Sequence, residues 1–284
     1  MMLQAISKLK GYQVSTIGSK PLVLYDEHRW VLPVIREAQN EKLIPTPCTI
    51  VTFDRHHDAL PPRKGLGEIP RLRKEGQTIE DIFQLVESHL SATNDDWIRA
   101  GMELGFIGDA ILFGPIPDIT RVERIFKDSV GQQHQLFFPG LPGRALSYQG
   151  DLSDLARSQE LQPLWNAFGW TRTKGLQKGF GFAQGLDAIV LDFDLDCFVV
   201  DWREYLFPWP SEVFEKEFLE ASSHSLTTGL KGQDIVKGII QKAGIITLAR
   251  EPIHCGGTDK SNLILESLDK YFFDGHLEPL YKKV

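Results

Sequence analysis

The chain has 284 residues, with 31 Lys+Arg against 38 Asp+Glu and a formal net charge of −7. Hydrophobic residues make up 42% and charged residues 24%, proportions that exclude an intrinsically disordered chain. No apolar run approaches the roughly 18 residues of a membrane span, and the acidic balance argues against broad nucleic-acid binding.

In chain order, residues 21–25 (PLVLY) form a short apolar run that predicts a buried strand. Residues 30–39 have helical spacing, with Pro33 tolerable in the first turn. The β-branched run 48–53 (CTIVTF), preceded by two prolines, predicts a second buried strand. A helix over 78–90 follows, with Thr78 as N-cap and Glu80 and Asp81 in its first turn. Another helix over 94–104 leads into a strand over 110–113. The stretch 115–185 is rich in Gly, Pro and polar residues. Apart from a short strand around 135–138 it has no periodic pattern, and it reads as an insertion, a lid or a small β subdomain.

The alternation resumes with a strand over 188–193 (AIVLDF) and a helix over 211–221 with Ser211 as N-cap. A helix over 234–242, a strand over 244–249 and a last amphipathic helix over 258–272 complete the chain. Strands alternating with helices imply a mostly parallel sheet covered on both faces. The expected fold class is therefore α/β, a three-layer α/β/α arrangement forming one domain over 1–284, with 115–185 inserted in it. Three cysteines, Cys48, Cys197 and Cys255, are odd in number and far apart, which argues against a disulfide framework. Residues 1–12 lack the apolar block of a secretory signal, so a cytoplasmic location is expected.

Two clusters carry the chemistry, each at the C-terminal end of a predicted strand, where open α/β sheets place their ligands. The first is Asp54-Arg55-His56-His57-Asp58. In an extended chain alternate residues share a face, so Asp54, His56 and Asp58 project together. The second is Asp192-Phe193-Asp194-Leu195-Asp196, with three carboxylates on one face. Such groups repel one another unless cations neutralise them. Oxygen-rich ligation with a little nitrogen suits Mn²⁺ better than Zn²⁺. Either motif alone also suits a hydrogen-bonded strand end; their joint occurrence favours metal. His57 points to the opposite face and reads as structural, and Asp192 reads as a support behind a ligand.

D-x-H-x-D at 54–58 with F-D-x-D at 193–196 resembles the arginase–agmatinase–deacetylase (ureohydrolase) superfamily. His28, in YDEHRW, fits the upstream histidine of that family. The segments DEHRWVLPVIREA, IVTFDRHHDALPP, NDDWIRAG and LDFDLDCF are similar to the peptide-arginase branch, whose members convert arginine side chains of ribosomally made peptides to ornithine. The resemblance covers about 22–114 and 187–255. It implies a two-Mn²⁺ site with His28, Asp54, Asp58 and Asp194 on one ion and Asp54, His56, Asp194 and Asp196 on the other. It further implies Asp58 as proton carrier and a guanidinium-binding glutamate after the strand at 244–249. Glu251 is the candidate there, the alternative being a surface pair with Arg250. Asp26 and Glu27 stand where free-arginine enzymes have glycines, and Cys197-Phe198-Val199 follows Asp196 where they have a D-P pair. No grip for a free amino acid's carboxylate and ammonium is recognisable, which favours an arginine-containing precursor peptide as partner.

Three further features have plainer readings. His254 to Gly257 suits a turn into the last helix or a rim to the site. Arg63, Lys64, Arg71, Arg73 and Lys74 read as a solvated basic loop, with contact to an acidic precursor peptide as the alternative. The aromatic run 202–209 reads as a loop packed beside the site. Two other functions compete with the peptide-arginase expectation. A phosphatase would use Asp192 as nucleophile and Asp194 as acid, leaving D-x-H-x-D unexplained. A non-catalytic, metal-stabilised peptide-binding protein would keep the ligands without turnover.

Overall fold

A computed structural model describes residues 3–62, 67–75, 77–114, 122–142, 188–221 and 231–282. Its centre is an eight-stranded sheet built from β1 (Gln13–Ile17), β2 (Lys20–Tyr25), β3 (Cys48–Phe53), β4 (Ile107–Phe113), β5 (Ile125–Lys127), β6 (Gln133–Phe137), β7 (Ile189–Asp194) and β10 (Ala243–Ala249). The order is β1-β2-β10-β7-β3-β4-β6-β5. The six inner strands run parallel, and only the outermost pairs, β1–β2 and β5–β6, are antiparallel.

Strand periodicity divides the core. Leu22, Leu24, Val51, Phe53, Leu191 and Phe193 point to one face, where they meet Phe214, Phe218, Ile235, Ile239, Ile264 and Phe272. Val23, Tyr25, Ile50, Val190 and Ile245 point to the other, against Leu32, Ile35, Ile82, Val86 and Ile98. The second face is covered by α1 (Val31–Asn40), α2 (Glu68–Glu75), α3 (Ile79–His89) and α4 (Trp97–Glu103). The first is covered by α5 (Ser211–Phe214), α6 (Gly232–Lys242), α8 (Thr258–Leu268) and α9 (Glu278–Tyr281), with the short α7 (Pro252–Cys255) beside the sheet's C-terminal edge. This is the three-layer α/β/α fold expected from the alternation.

Local chemistry sets the element ends. Thr78 caps α3 in a reciprocal box with Asp81, as its sequence predicts. The helix expected from 94 begins instead at Trp97, because Asn94 takes a left-handed backbone with φ 58°. Pro210 rather than Ser211 occupies the cap position of α5, which has four residues before a π turn at Glu215–Leu219. The last long helix likewise gives way to a π turn, at Asp269–Phe273. The basic loop proves to be α2 over its described part. Arg71 pairs with Glu68 and Glu75 on that helix, and Arg73 pairs with buried Asp128. Arg63 and Lys64 lie outside the described residues.

Alternation in 13–17 forms β1, an edge strand the sequence reading did not single out. The aromatic run is a hairpin, not a loop: β8 (Val199–Trp202) pairs with β9 (Tyr205–Pro208). Of the residues 115–185, β5 and β6 extend the main sheet beyond β4; 115–121 and 143–185 lie outside the described residues. Cys48, Cys197 and Cys255 are buried free thiols. No helix among the described residues is long and apolar enough to cross a membrane.

Candidate metal centre

Three central strands build the floor of the site. Thr52 on β3, Asp192 on β7 and Thr247 on β10 stand side by side in register. Thr52 Oγ1 donates to Asp192 Oδ2 at 2.7 Å and Thr247 Oγ1 to Asp192 Oδ1 at 2.6 Å. Asp192 Oδ2 also meets His28 Nε2 at 2.7 Å. A buried carboxylate left without such partners is costly, and here both oxygens are satisfied. Nε2 facing Asp192 leaves Nδ1 as the outward nitrogen of His28. Asp192 is therefore a support behind His28, as the sequence suggested.

Two residues further along, at the strand ends, the ligand groups converge. His28 Nδ1 lies 3.4 Å from Asp54 Oδ2, 3.0 Å from Asp58 Oδ2 and 3.0 Å from Asp194 Oδ2. Beside this group, His56 Nδ1 lies 3.3 Å from Asp196 Oδ2 and 3.7 Å from Asp54 Oδ1. The atoms offered by His28, Asp54, Asp58 and Asp194 lie within 4.8 Å of one another, as do those of Asp54, His56 and Asp196. Asp54 belongs to both groups. Asp194 belongs to the first group, and its Oδ1 accepts the Asp196 backbone N–H at 3.1 Å. The His28 group is buried; the His56 side chain is half exposed at the rim.

The donor set fits a divalent cation on an independent ground. His28 Nδ1, Asp54 Oδ2 and Asp196 Oδ1 are buried and make no hydrogen bond among the described residues. Orphaned acceptors crowded together are expensive unless a cation meets them. The electrostatics agree. Burial, reinforced by the charges of Asp58 and Asp194, raises the Asp54 carboxyl well above the usual carboxylate range. Burial and Asp196 do the same to Asp194. For His28, burial opposes the charged form, but Asp192 and Asp194 outweigh it and lift its pKa well above the ordinary value. The His56 imidazole, bonded to Asp196, is raised to about 9. Without metal, protons take the role of the missing positive charge. The His28/Asp54/Asp58/Asp194 group can hold a metal ion.

Strained backbone holds this edge in place. Asp58 (φ 45°), Asn94 (φ 58°) and Glu251 (φ 42°) are all left-handed, a conformation non-glycine residues adopt rarely and often at functional sites. Asp58 is tied down by Trp97, whose Nε1 donates to Oδ2 at 2.7 Å and whose ring stands edge-on to the His28 imidazole. The Asp58 carbonyl accepts the Ile98 N–H at 3.0 Å. His57 is in neither group of clustered ligand atoms; its Nδ1 accepts the Ala59 N–H, and burial lowers its pKa.

Glu251 follows β10 and is 4% exposed, which rules out the surface-pair alternative. Arg250 pairs instead with Asp26, at 3.1 Å. Glu251 Oε1 accepts the His28 backbone N–H at 2.5 Å and Asn94 Nδ2 at 2.7 Å, which fixes it against the metal group. Burial pushes its carboxyl up to about 7. His254 and Cys255 end α7, and Gly256 (φ 80°) and Gly257 (φ 117°) make the turn into α8, so the turn reading holds for the two glycines only; His254, half exposed with Nε2 3.9 Å from Glu251 Oε2, stands beside the site. Sequence reasoning singled out neither Asn94 and Trp97 nor Thr52 and Thr247 as site residues. A hydroxyl set inside an otherwise apolar strand was the available signal for the two threonines. No family model matches the chain, and no curated protein matches it.

Proposed function

We propose that this protein is a two-Mn²⁺ hydrolase that converts arginine side chains within a peptide to ornithine, releasing urea. The observation that carries the reading is one carboxylate, Asp54, shared by two adjacent ligand groups whose orphaned atoms converge, with a buried glutamate locked onto His28 beside them. His28, Asp54, Asp58 and Asp194 would hold one ion. Asp54, His56 and Asp196 would hold the other, with Asp194 as the further shared ligand that the ureohydrolase resemblance implies. Bound there, divalent ions would supply Lewis acidity that makes water a competent nucleophile near neutral pH.

The chain's own residues do the rest. A guanidinium is a poor electrophile because its charge is delocalised, so it must be fixed in line and its charge met. Glu251 supplies that grip, and a nearby cation favours its ionised form over the neutral one that burial alone would favour. Water adds to the guanidino carbon, the bond from that carbon to the side-chain nitrogen breaks, and the nitrogen leaves as an amine. Asp58 moves the proton from the attacking water to that amine. Its Oδ2 is held by Trp97, and Oδ1 takes no hydrogen bond among the described residues.

Asp192 counts against the phosphatase alternative. It is fully buried, and its oxygens are engaged by His28, Thr52 and Thr247, so it has no approach to a phosphate. Urea release from Mn²⁺-supplemented protein tests the proposal, comparing an arginine-containing peptide with free arginine. Faster release from the peptide is expected. Equal efficiency on free arginine would count against the peptide assignment, and no urea from either would count against the hydrolase itself.

A further inference from the structure

Resting on that reading, we propose that Asn94 is a specificity-determining residue whose side-chain oxygen gives the site a second acceptor, selecting a guanidinium over an ammonium. Glu251 Oε1 is committed: it accepts from both His28 N and Asn94 Nδ2. That leaves Oε2, which lies 3.9 Å from His254 Nε2, as the oxygen able to meet a ligand. Asn94 Oδ1 is buried and makes no hydrogen bond among the described residues. The two polar atoms of one planar amide are little more than 2 Å apart, so Oδ1 lies within about 5 Å of Glu251 Oε1. An orphaned carbonyl oxygen this close to the substrate-facing carboxylate is an unusual feature for a folded chain to retain, since one buried unpaired acceptor is costly.

The backbone points the same way. Asn94 and Glu251 both adopt left-handed φ, at 58° and 42°. Asn94 N donates to Ser91 O at 3.2 Å, while Ser91 N donates to both oxygens of Asp96, at 3.1 and 3.2 Å. The loop entering α4 is thus braced so that the Asn94 amide reaches Glu251. One charged acceptor and one neutral acceptor on two side chains that are hydrogen-bonded to each other match a guanidinium, which offers five N–H donors in a planar fork. An ammonium is compact and strongly hydrated, and needs only the carboxylate. On this view Asn94 distinguishes arginine from lysine or ornithine, which also helps the amine product to leave.

The experiment measures binding by calorimetry of acetyl-Gly-Arg-Gly-amide and its lysine counterpart to the Mn²⁺-supplemented protein. Asn94→Gly is the variant, because glycine keeps the left-handed backbone without strain. Loss of the Nδ2 brace on Glu251 weakens both peptides, but arginine-peptide affinity should fall about tenfold to a hundredfold further than lysine-peptide affinity, the scale of a hydrogen bond to a charged group. An equal loss for both peptides in Asn94→Gly would mean that the amide only braces Glu251, and would overturn the inference while leaving the hydrolase reading intact. Unchanged preference in Asn94→Gly would do the same. Wild-type protein that neither binds nor cleaves the arginine peptide would overturn both.

Discussion

Asp54→Asn should move the stability of the metal-free and metal-supplemented protein in opposite directions. In the metal-free protein Asp54 faces Asp58 and Asp194 with ligand atoms no more than 4.8 Å apart. Two unit charges at that separation repel by about 3.5 kcal/mol at an effective dielectric of about 20. His28 offsets part of this, and the raised Asp54 pKa shows that proton uptake relieves more. A net relief of about 1–3 kcal/mol remains, which for a domain of this size is a Tm increase of about 2–6 °C. With Mn²⁺ at about 100 times Kd, the wild-type protein should gain about 2.7 kcal/mol per site relative to its chelated form. Asp54 serves both ligand groups, so the asparagine variant should lose most of that gain. Asp196→Asn touches only the outer group and should keep the part due to the inner one. Scanning calorimetry of chelator-treated protein with and without added Mn²⁺ reads both effects. An Asp54→Asn protein with wild-type Tm in chelator and an undiminished Mn²⁺ shift would refute the shared-ligand reasoning.

Three further outcomes follow from the geometry. Glu251→Gln removes the charge while nearly preserving shape; losing a desolvated charge pair of about 2–5 kcal/mol should cost roughly 30-fold to several thousand-fold in kcat/KM, with metal content unchanged by elemental analysis. Asp192→Asn removes the carboxylate behind His28 and should weaken Mn²⁺ binding about tenfold to a hundredfold in a titration, although Asp192 is not a ligand. The metal-free protein should lose stability as pH rises from about 4.5 to 9. Glu251 (about 7 when folded, raised by burial) binds more protons in the folded than in the unfolded state, and so does His56 (about 9, raised by Asp196). Between each unfolded and folded value, raising pH therefore favours unfolding. Denaturant midpoints that rise with pH over that window in chelator would contradict the assignment of these groups.

How much was readable in the sequence depended on the range of the forces involved. The strand at 48–53 was legible to the residue, because a β-branched run ending in polar groups has one stable environment, a buried parallel strand. The clustering of Asp54, His56, Asp58, Asp194 and Asp196 beyond two strand ends was legible too, but not its geometry: the extended chain stops at Phe53, Asp58 is left-handed, and Asp58 and His56 fall in different groups around Asp54. Tertiary contacts decided the rest. Glu251 could have been a surface partner of Arg250 until Asp26 was found to take that arginine. Asn94 sits where a helix was expected, and its left-handed backbone is set by Ser91, Asp96 and Glu251 together. Helix α2 escaped notice because its charged residues satisfy one another and Asp128, a partner more than fifty positions away.

The central claim, metal-dependent hydrolysis of peptide arginine, is tested most directly by mass spectrometry of an arginine-containing peptide incubated with Mn²⁺-supplemented protein. A loss of about 42 Da per arginine, the mass of CN₂H₂, is expected when water releases urea and leaves an amine. The shift should vanish in chelator and in Asp54→Asn. A peptide of unchanged mass after incubation with protein shown to carry metal at both groups would contradict the account.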